Sequence, residues 1–316
     1  MKKNLINLIL LFAYLTTGVC YAGTLTVESD SQEFKDSDKK IYLEGNVRVK
    51  NDDAHVVSPR AVVEIDPKNN KVNKVEFKER AYSWQLKDGK KHEIKAQILK
   101  VSLLNKVFTA EGKTISSITE KDKPVVIVTA DRQEYNKTTN MMKAFGNVNI
   151  LYKDVETFSK EAYVSLSDQN DVKKIDLVGG ARLHQGKNKI NAAKVSYDNI
   201  KEEATAIGNV YTDITTEDNK RVEIWSDFQS YNKKANFVNA SGSTKIKYED
   251  YLARGPKVNV YADKKTNKLN EAVFVGRSKI ETKGRTIEAD RITITMNPKD
   301  FKAEGNVKSV IPNVGK

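Results

Sequence analysis

Few side chains in this sequence stand in the arrangements that catalysis or metal binding requires. The three histidines, His55, His92 and His184, lie far apart and share no metal-ligand spacing with one another or with the single cysteine, Cys20. The sequence contains neither a nucleophile elbow nor a phosphate-binding loop. We therefore expect no catalytic residue, no metal and no cofactor, and a function that depends on binding.

Positive charge is a second feature that could support chemistry, namely the binding of anions. The 316 residues include 54 Lys and Arg against 42 Asp and Glu, a formal net charge of +12. A basic surface attracts phosphate groups of any origin. The basic residues are spread over nearly every turn and lack the interleaved aromatics of a single-strand platform, so we expect no nucleic-acid partner. The positive charge fits an anionic lipid partner and also an ordinary solvated surface. The two tryptophans, Trp84 and Trp225, are expected to pack against other residues rather than to bind a ligand.

The N-terminus has the features of a secretory signal peptide, predicted over residues 1–22. A positive start at Met1–Lys3 precedes an apolar stretch at Leu5–Thr17 and a small-residue cleavage site at Cys20–Ala22. Cleavage would remove the cysteine, which indicates a periplasmic or secreted protein stabilised by packing alone. An uncleaved inner-membrane anchor is the alternative; lipid attachment at Cys20 is disfavoured because Thr17–Val19 makes a poor lipobox.

A glycine recurs along the rest of the chain at intervals of 29 to 34 residues. The positions are Gly45, Gly112, Gly146, Gly179, Gly208, Gly242, Gly276 and Gly305, with Glu79 where a ninth would fall. Such a spacing indicates repeated supersecondary units that bury their apolar faces against one another.

Each unit has the pattern of two strands and two polar turns. Turn residues cluster before the glycines, as at 36–39, 136–139 and 232–234, and again at the far end, as at 88–90 and 283–285. The segments between them alternate apolar and polar residues with period two. This predicts an all-β protein of about nine antiparallel two-strand repeats.

The glycines share the parity of the apolar residues, as Leu43, Gly45 and Val47 show. Because the alternation does not slip, we expect no bulge at these glycines. One explanation for them is close backbone approach or a bend in each strand. The other is that the glycines, with the neighbouring alanines, leave apolar space along the inner face for a guest. The residues alone leave both open.

The pattern of Ala-Asp, a strand, a polar turn and Ala-x-Gly-Asn-Val resembles the OstA-like β repeat of lipopolysaccharide transport, shared by the LptA bridge protein, LptC and the N-terminal domain of the outer-membrane translocon. Matching segments are 29–47, 130–148, 192–210, 226–242 and 289–307. The chain departs from the pattern at Glu79, at Ser243 and at Arg277. It also carries about twice the repeats expected of a bridge protein, through either duplication or fusion.

The resemblance implies an elongated, twisted β-jellyroll, open along one side, that carries lipid A acyl chains in an apolar groove and is not an enzyme. It further implies a periplasmic lipopolysaccharide-binding protein whose edge strands pair with LptC-like proteins, with the translocon N-terminal domain or with a second copy. Two OstA-like units are predicted, residues 23–158 and 159–316. The predicted lipid-binding positions are Val47, Val49, Ala110, Ala144, Val148, Ile150, Leu177, Ala206, Val210, Ile246, Phe274 and Val307.

Two other functions fit the residues without the resemblance. One is a structural β-repeat scaffold or filament protein with a filled core and no lipid cargo. The other is a secreted polysaccharide-active β-solenoid enzyme, which would need a carboxylate cluster on one outer face.

Overall fold

Antiparallel strands joined by polar turns make up the protein in a computed structural model. The structure describes residues 25–51, 54–69, 71–87, 89–152, 154–167, 172–215, 219–263, 269–282, 284–296 and 299–311. The predicted signal peptide, residues 1–22, lies outside them. Within these ranges, no helix is both long enough and apolar enough to span a membrane. The all-β, antiparallel fold predicted from the sequence is confirmed.

The described residues up to Ile175 form one compact unit, and those from Asp176 onward form a second. The strands of the first unit are β1 (Leu25–Glu28), β2 (Ser31–Lys35), β3 (Lys40–Asn51), β4 (Ala54–Ile65), β5 (Val72–Lys87), β6 (Lys90–Ser102), β7 (Val107–Glu120), β8 (Lys123–Asn136), β9 (Met141–Tyr152) and β10 (Val155–Leu166). The unit boundary falls within β11 (Val172–Gln185). The second unit continues with β12 (Asn188–Asp198), β13 (Glu203–Thr215), β14 (Arg221–Asn232), β15 (Phe237–Tyr248), β16 (Tyr251–Ala262), β17 (Leu269–Thr282), β18 (Arg285–Met296), β19 (Lys299–Glu304) and β20 (Lys308–Val310). The two sequence repeats, 23–158 and 159–316, stay a prediction.

Each unit is a meander in which a strand pairs with the next one along the chain. This holds from β3 to β10 in the first unit and from β12 to β18 in the second. Both β1 and β2 pair with β3, and both β19 and β20 pair with β18. Among the described residues, these four short strands are paired along one edge only.

The turns at one end of the strands are closed by the polar residues that predicted them. The side-chain Oδ1 of Asn136 accepts hydrogen bonds from the backbone N–H groups of Thr138 at 2.9 Å and Thr139 at 3.1 Å. Asn140 then completes the turn with a φ of +50°. An Asn or Asp side chain that replaces a missing backbone partner in this way stabilises a turn at little conformational cost.

At the opposite end, two-residue turns contain glycine. Strands β5 and β6 pair up to Lys87 and Lys90, and Gly89 between them has a φ of +71°. Gly284 has a φ of +76° in the equivalent turn between β17 and β18. Positive φ at this position is typical of tight hairpins. The other turn residues, Asp88 and Lys283, lie outside the described residues.

The recurring glycines within the strands begin β-bulges. On β3 and β4, Glu44 pairs with Arg60 and Val47 pairs with Ser58, so residues 45–46 together lie opposite one residue. Both have left-handed backbone angles, with φ of +72° and +49°. The same consecutive pair occurs at 79–80, 112–113, 146–147, 179–180, 208–209, 242–243 and 305–306, and a single left-handed residue at 276. We call each such position a corner, because a bulge bends and re-aims its strand.

The prediction that these strands contain no bulge is wrong, and the reason lies on the neighbouring strand. On β3 the inward alternation is kept across the corner, since Leu43 and Val47 are both buried. On β4 the alternation slips instead, because Ser58 and Ala61, three residues apart, are both buried. A single strand therefore looks regular in sequence while the pair of strands is bulged.

Four of the corner glycines, Gly45, Gly146, Gly242 and Gly305, make room for an aspartate that precedes them by 15 residues, whereas at Gly112, Gly208 and Gly276 an added Cβ would meet Gln97, Ala193 and Pro256. At Gly45 an added Cβ would overlap the side chain of Asp30, whose carboxylate accepts a hydrogen bond from Asn46 Nδ2 at 2.9 Å. The same arrangement joins Asp131 to Asn147 at 2.9 Å and Asp290 to Asn306 at 2.7 Å. The structure thus supports the first explanation for the glycines, a bend with close approach, and explains the spacing of Asp and Gly-Asn in the motif.

Candidate functional site

The inner face of each unit is apolar and turned away from solvent. In the first unit the predicted positions Val47, Ala110, Ala144, Val148 and Ile150 are each at most 7% exposed. Val49 is half-buried. These side chains come from β3, β7 and β9, the strands that carry glycine corners. The register thus brings the predicted positions to one face, while their role in lipid binding stays a prediction.

The predicted positions of the second unit divide into three groups. Leu177, Ala206, Val210 and Phe274 are buried, at 1–7% exposure, and Ile246 is partly buried. Phe274 belongs to a core cluster that also contains Ile224, Ala240, Ala253, Val258, Ala272, Ile280, Ala289 and Ile292, with Ile246 packed against it. Val307 is 52% exposed and directly follows the corner at residues 305–306.

Small residues line the inside of several corners. Ala110, Ala144, Ala206 and Ala240, each two residues before a corner glycine, are 0–7% exposed. Buried alanine or serine also stands opposite the inner residue two positions after the glycine, as Ala130 does opposite Thr114 and Ser226 opposite Val210. The position two residues before the corner is not restricted to small residues, because Phe77, Leu177 and Phe274 occupy it at the corners at 79–80, 179–180 and 276 and are 3–4% exposed. Larger apolar side chains also face the corners, since Leu99 pairs with Ala110 and Ile292 pairs with Ala303, and both are 0% exposed.

The inner face also carries polar side chains that sequence reasoning missed. Gln133 and Ser116 in the first unit, and Gln229, Thr212 and Thr244 in the second, are all at most 9% exposed. Each has the inward parity of its strand, which was the available signal. The sequence could not show which of them meet, because that depends on the register between strands.

The outer face bears a polar cluster that occurs once in each unit. In the first, Tyr82 donates a hydrogen bond to Glu93, which pairs with Lys91 at 2.7 Å. Burial raises the pKa of Tyr82, and the hydrogen bond to Glu93 raises it further. His55 stacks on Trp84 at 4.7 Å between ring centroids, beside this cluster.

In the second unit, Tyr211 donates to Glu223 at 2.8 Å, and Glu223 pairs with Arg221 at 3.0 Å. Arg221 also binds both carboxylate oxygens of Asp213 at 2.9 Å. This hydrogen bonding lowers the pKa of Asp213 below its ordinary value, although burial opposes the shift. Trp225 lies 5.3 Å from Tyr211 between ring centroids, so both tryptophans contact neighbouring aromatics, as expected.

The acidic and histidine side chains of the described ranges do not gather into a group of three or more that could hold a metal ion. Their positions are those of surface pairs, a stacked ring in the case of His55 and, for His92, a buried strand position. What the arrangement offers chemically is an apolar interior with scattered hydrogen-bonding groups and a charged exterior.

Comparison with known proteins bears on the family. Residues 26–123, from β1 to the start of β8, match the family described as LptA/(LptD N-terminal domain) LPS transport protein. The predicted family resemblance is confirmed. That family is described as one of transport proteins.

Among solved structures, LptH of Pseudomonas aeruginosa is similar to part of the chain. It is described as the LptA-homologous periplasmic component of the conserved lipopolysaccharide transport device. The two are 11% identical, the alignment covers 42% of this chain and 96% of LptH, and the TM-score is 0.35. No curated protein matches the chain.

Proposed function

We propose that this protein is a periplasmic lipopolysaccharide carrier that holds lipid A acyl chains against its inner apolar faces and passes them on without covalent chemistry. The observation that carries the proposal is the recurrence of one arrangement beyond the matched residues. Corners with a buried apolar residue on their inner side continue from residues 45–46 to residue 276, whereas the family match ends at residue 123. The arrangement found within the matched residues is therefore repeated along the chain.

The energetics favour acyl chains as cargo. Each CH2 group that leaves water contributes about 0.8 kcal/mol, so several acyl chains supply ample affinity in an aqueous compartment. The inner side chains are already shielded, as Val210 at 1% exposure shows. An entering chain must therefore part contacts among these side chains, and the net affinity comes mainly from the cargo's own surface leaving water.

Transfer requires partners, and the terminal strands are suited to recruit them. Strands β1 and β2 at one end, and β19 and β20 at the other, are edge strands among the described residues. An exposed edge recruits a partner by strand addition. We propose that these edges pair with LptC-like proteins, with the translocon N-terminal domain or with a second copy. The head groups of the cargo would then face the basic exterior.

A structural scaffold without cargo is the second candidate, favoured by the nearly complete burial of the inner side chains. Photocrosslinking separates the two functions. A photoreactive phenylalanine analogue at Val210, which is 1% exposed, is compared with one at Ile207 on the same strand, which is 46% exposed. Both proteins are checked for native β-structure by circular dichroism before incubation with lipopolysaccharide.

Under the carrier function, folded protein labelled at Val210 is captured by lipopolysaccharide and protein labelled at Ile207 is not. Equal capture at the two sites, or capture only at Ile207, favours surface adsorption and the scaffold.

A further inference from the structure

A buried glutamine in the first unit has both ends of its amide paired. Gln133 on β8 is 2% exposed. Its Oε1 accepts a hydrogen bond from Ser116 Oγ at 2.8 Å, and its Nε2 donates to Thr114 Oγ1 at 2.9 Å. Thr114 in turn donates to the backbone carbonyl of Ala130 at 2.8 Å. Gln133 Nε2 also donates to the backbone carbonyl of Val128 at 3.3 Å, so residues of β7 and β8 satisfy this polar group without a ligand.

The equivalent glutamine of the second unit, 96 positions later in the sequence, is only half paired. Thr212 Oγ1 donates to Gln229 Oε1 at 2.6 Å. Val210 stands at the position equivalent to Thr114 and offers no oxygen. Gln229 Nε2 is buried and has no hydrogen-bond partner. Turning the amide over does not repair this, because Thr212 can pair with one end only.

A second buried polar group without a partner lies on the next strand. Thr244 on β15 is 2% exposed, and its hydroxyl makes no hydrogen bond. Thr244 lies four residues beyond the register partner of Gln229. In the first unit, Thr114 lies four residues beyond Ala110, the register partner of Gln133 on β7. Thr114 is therefore on the strand before its glutamine, whereas Thr244 is on the strand after its glutamine. The second unit reverses the first: valine (Val210) replaces Thr114 on the strand before the glutamine, and threonine (Thr244) replaces Val148 on the strand after it.

Such groups are costly, because a buried donor or acceptor without a partner keeps the full penalty of leaving water. Gln229 and Thr244 are at most 9% exposed, so bulk water does not satisfy them. Both have the inward parity of their strands, and Gln229 stands in register between Ala206 and Ala240. A ligand that enters the inner face can therefore gain hydrogen bonds here that it cannot gain at Gln133, where every group is used.

We propose that Gln229 and Thr244 form a hydrogen-bonding subsite for a hydroxyl group carried on an acyl chain. A hydroxyl both donates and accepts, so it completes the amide in either orientation and pairs with the threonine as well. The inference rests on the proposed function, because it assumes that acyl chains enter the second unit. It adds a chemical preference, for hydroxylated over plain acyl chains, to binding that is otherwise apolar.

The test compares two fatty acids that differ by one hydroxyl. Isothermal titration calorimetry measures 3-hydroxytetradecanoic acid and tetradecanoic acid against the purified protein, against the variant Gln229→Leu and against the double variant V210T/T244V. The double variant rebuilds the arrangement of the first unit with side chains of nearly the same shape, so it keeps the fold if Gln229→Leu does not. We expect the wild type to bind the hydroxylated acid about fivefold more tightly, the value of one net hydrogen bond.

Both variants are expected to bind the two acids with equal affinity, so that the preference for the hydroxylated acid is lost. Equal affinities in the wild type, or a preference that survives V210T/T244V, would overturn the subsite and leave the acyl-carrying function standing. Failure of the wild type to bind either acid would overturn the proposed function, and the subsite with it.

Discussion

Replacing Gly146 by alanine should destabilise the first unit by more than a left-handed backbone alone requires. Gly146 has a φ of +72°, and an added Cβ would lie 2.9 Å from both Cβ and Cγ of Asp131. Gly89, in the same unit, has a φ of +71° but has no atom within 4 Å of an added Cβ. Both substitutions carry the left-handed cost of about 1–2 kcal/mol. Only Gly146→Ala also displaces Asp131 from its hydrogen bond with Asn147, which adds about 0.5–1.5 kcal/mol at this exposed site.

The assay is urea unfolding followed by tryptophan fluorescence. In a W225F background Trp84 is the one remaining tryptophan, so the signal reports the first unit. We expect Gly146→Ala to cost about 1 kcal/mol more than Gly89→Ala, and the excess to disappear when Asp131 is also replaced by glycine, which removes both the Cβ contact and the hydrogen bond. Equal costs for the two glycines, or an excess that persists without Asp131, would refute our explanation of the corners.

Three further outcomes follow from particular side chains. Glu79 takes the place of a corner glycine and has a φ of +65°. Both Glu79→Gly and Glu79→Ala lose the 3.2 Å ion pair with Arg60, so urea unfolding should show the glycine variant to be about 1 kcal/mol more stable than the alanine variant. Equal stability of the two variants would contradict this. Because Arg221 lowers the pKa of Asp213, their pairing stabilises the fold fully above the ordinary carboxyl pKa of about 3.9 and is lost as the pH falls through the lowered value. Thermal melts should therefore show Arg221→Met to be destabilising at about pH 7, by an amount that shrinks as the pH falls below about 3.9. A destabilisation independent of pH would exclude that reasoning. Val148→Asp places a carboxylate at a position 2% exposed, and should lower both the unfolding midpoint and lipopolysaccharide binding; full binding by a folded variant would show that this position does not meet the cargo.

The fold could be predicted from the sequence to the extent that it depends on local patterns. Alternation with period two and turns such as residues 136–139 determine strands and hairpins through interactions within a few residues, and both were found. The corners were misjudged because a bulge is a property of two strands. The glycine strand keeps its parity, and the slip at Ser58 and Ala61 could be understood only with the register of β3 and β4 in hand.

The candidate site shows the same limit. Inward positions such as Val148 and Val210 follow from parity, and the structure buries them. The difference between Gln133 and Gln229 is invisible in either strand alone, since it depends on whether threonine or valine stands across the pair. A comparison of the chain with itself at an offset of 96 residues would have revealed the exchange, because Thr114 then aligns with Val210 and Val148 with Thr244.

The central claim is that burial of acyl chains, rather than attraction between the basic surface and phosphates, holds the cargo. Competition measures this most directly. Protein loaded with fluorescent lipopolysaccharide is challenged with intact lipopolysaccharide and with the same material stripped of its acyl chains, which keeps its sugars and phosphates. We predict that the intact form displaces the label and that the deacylated form does not. Equal displacement by the deacylated form would contradict the account.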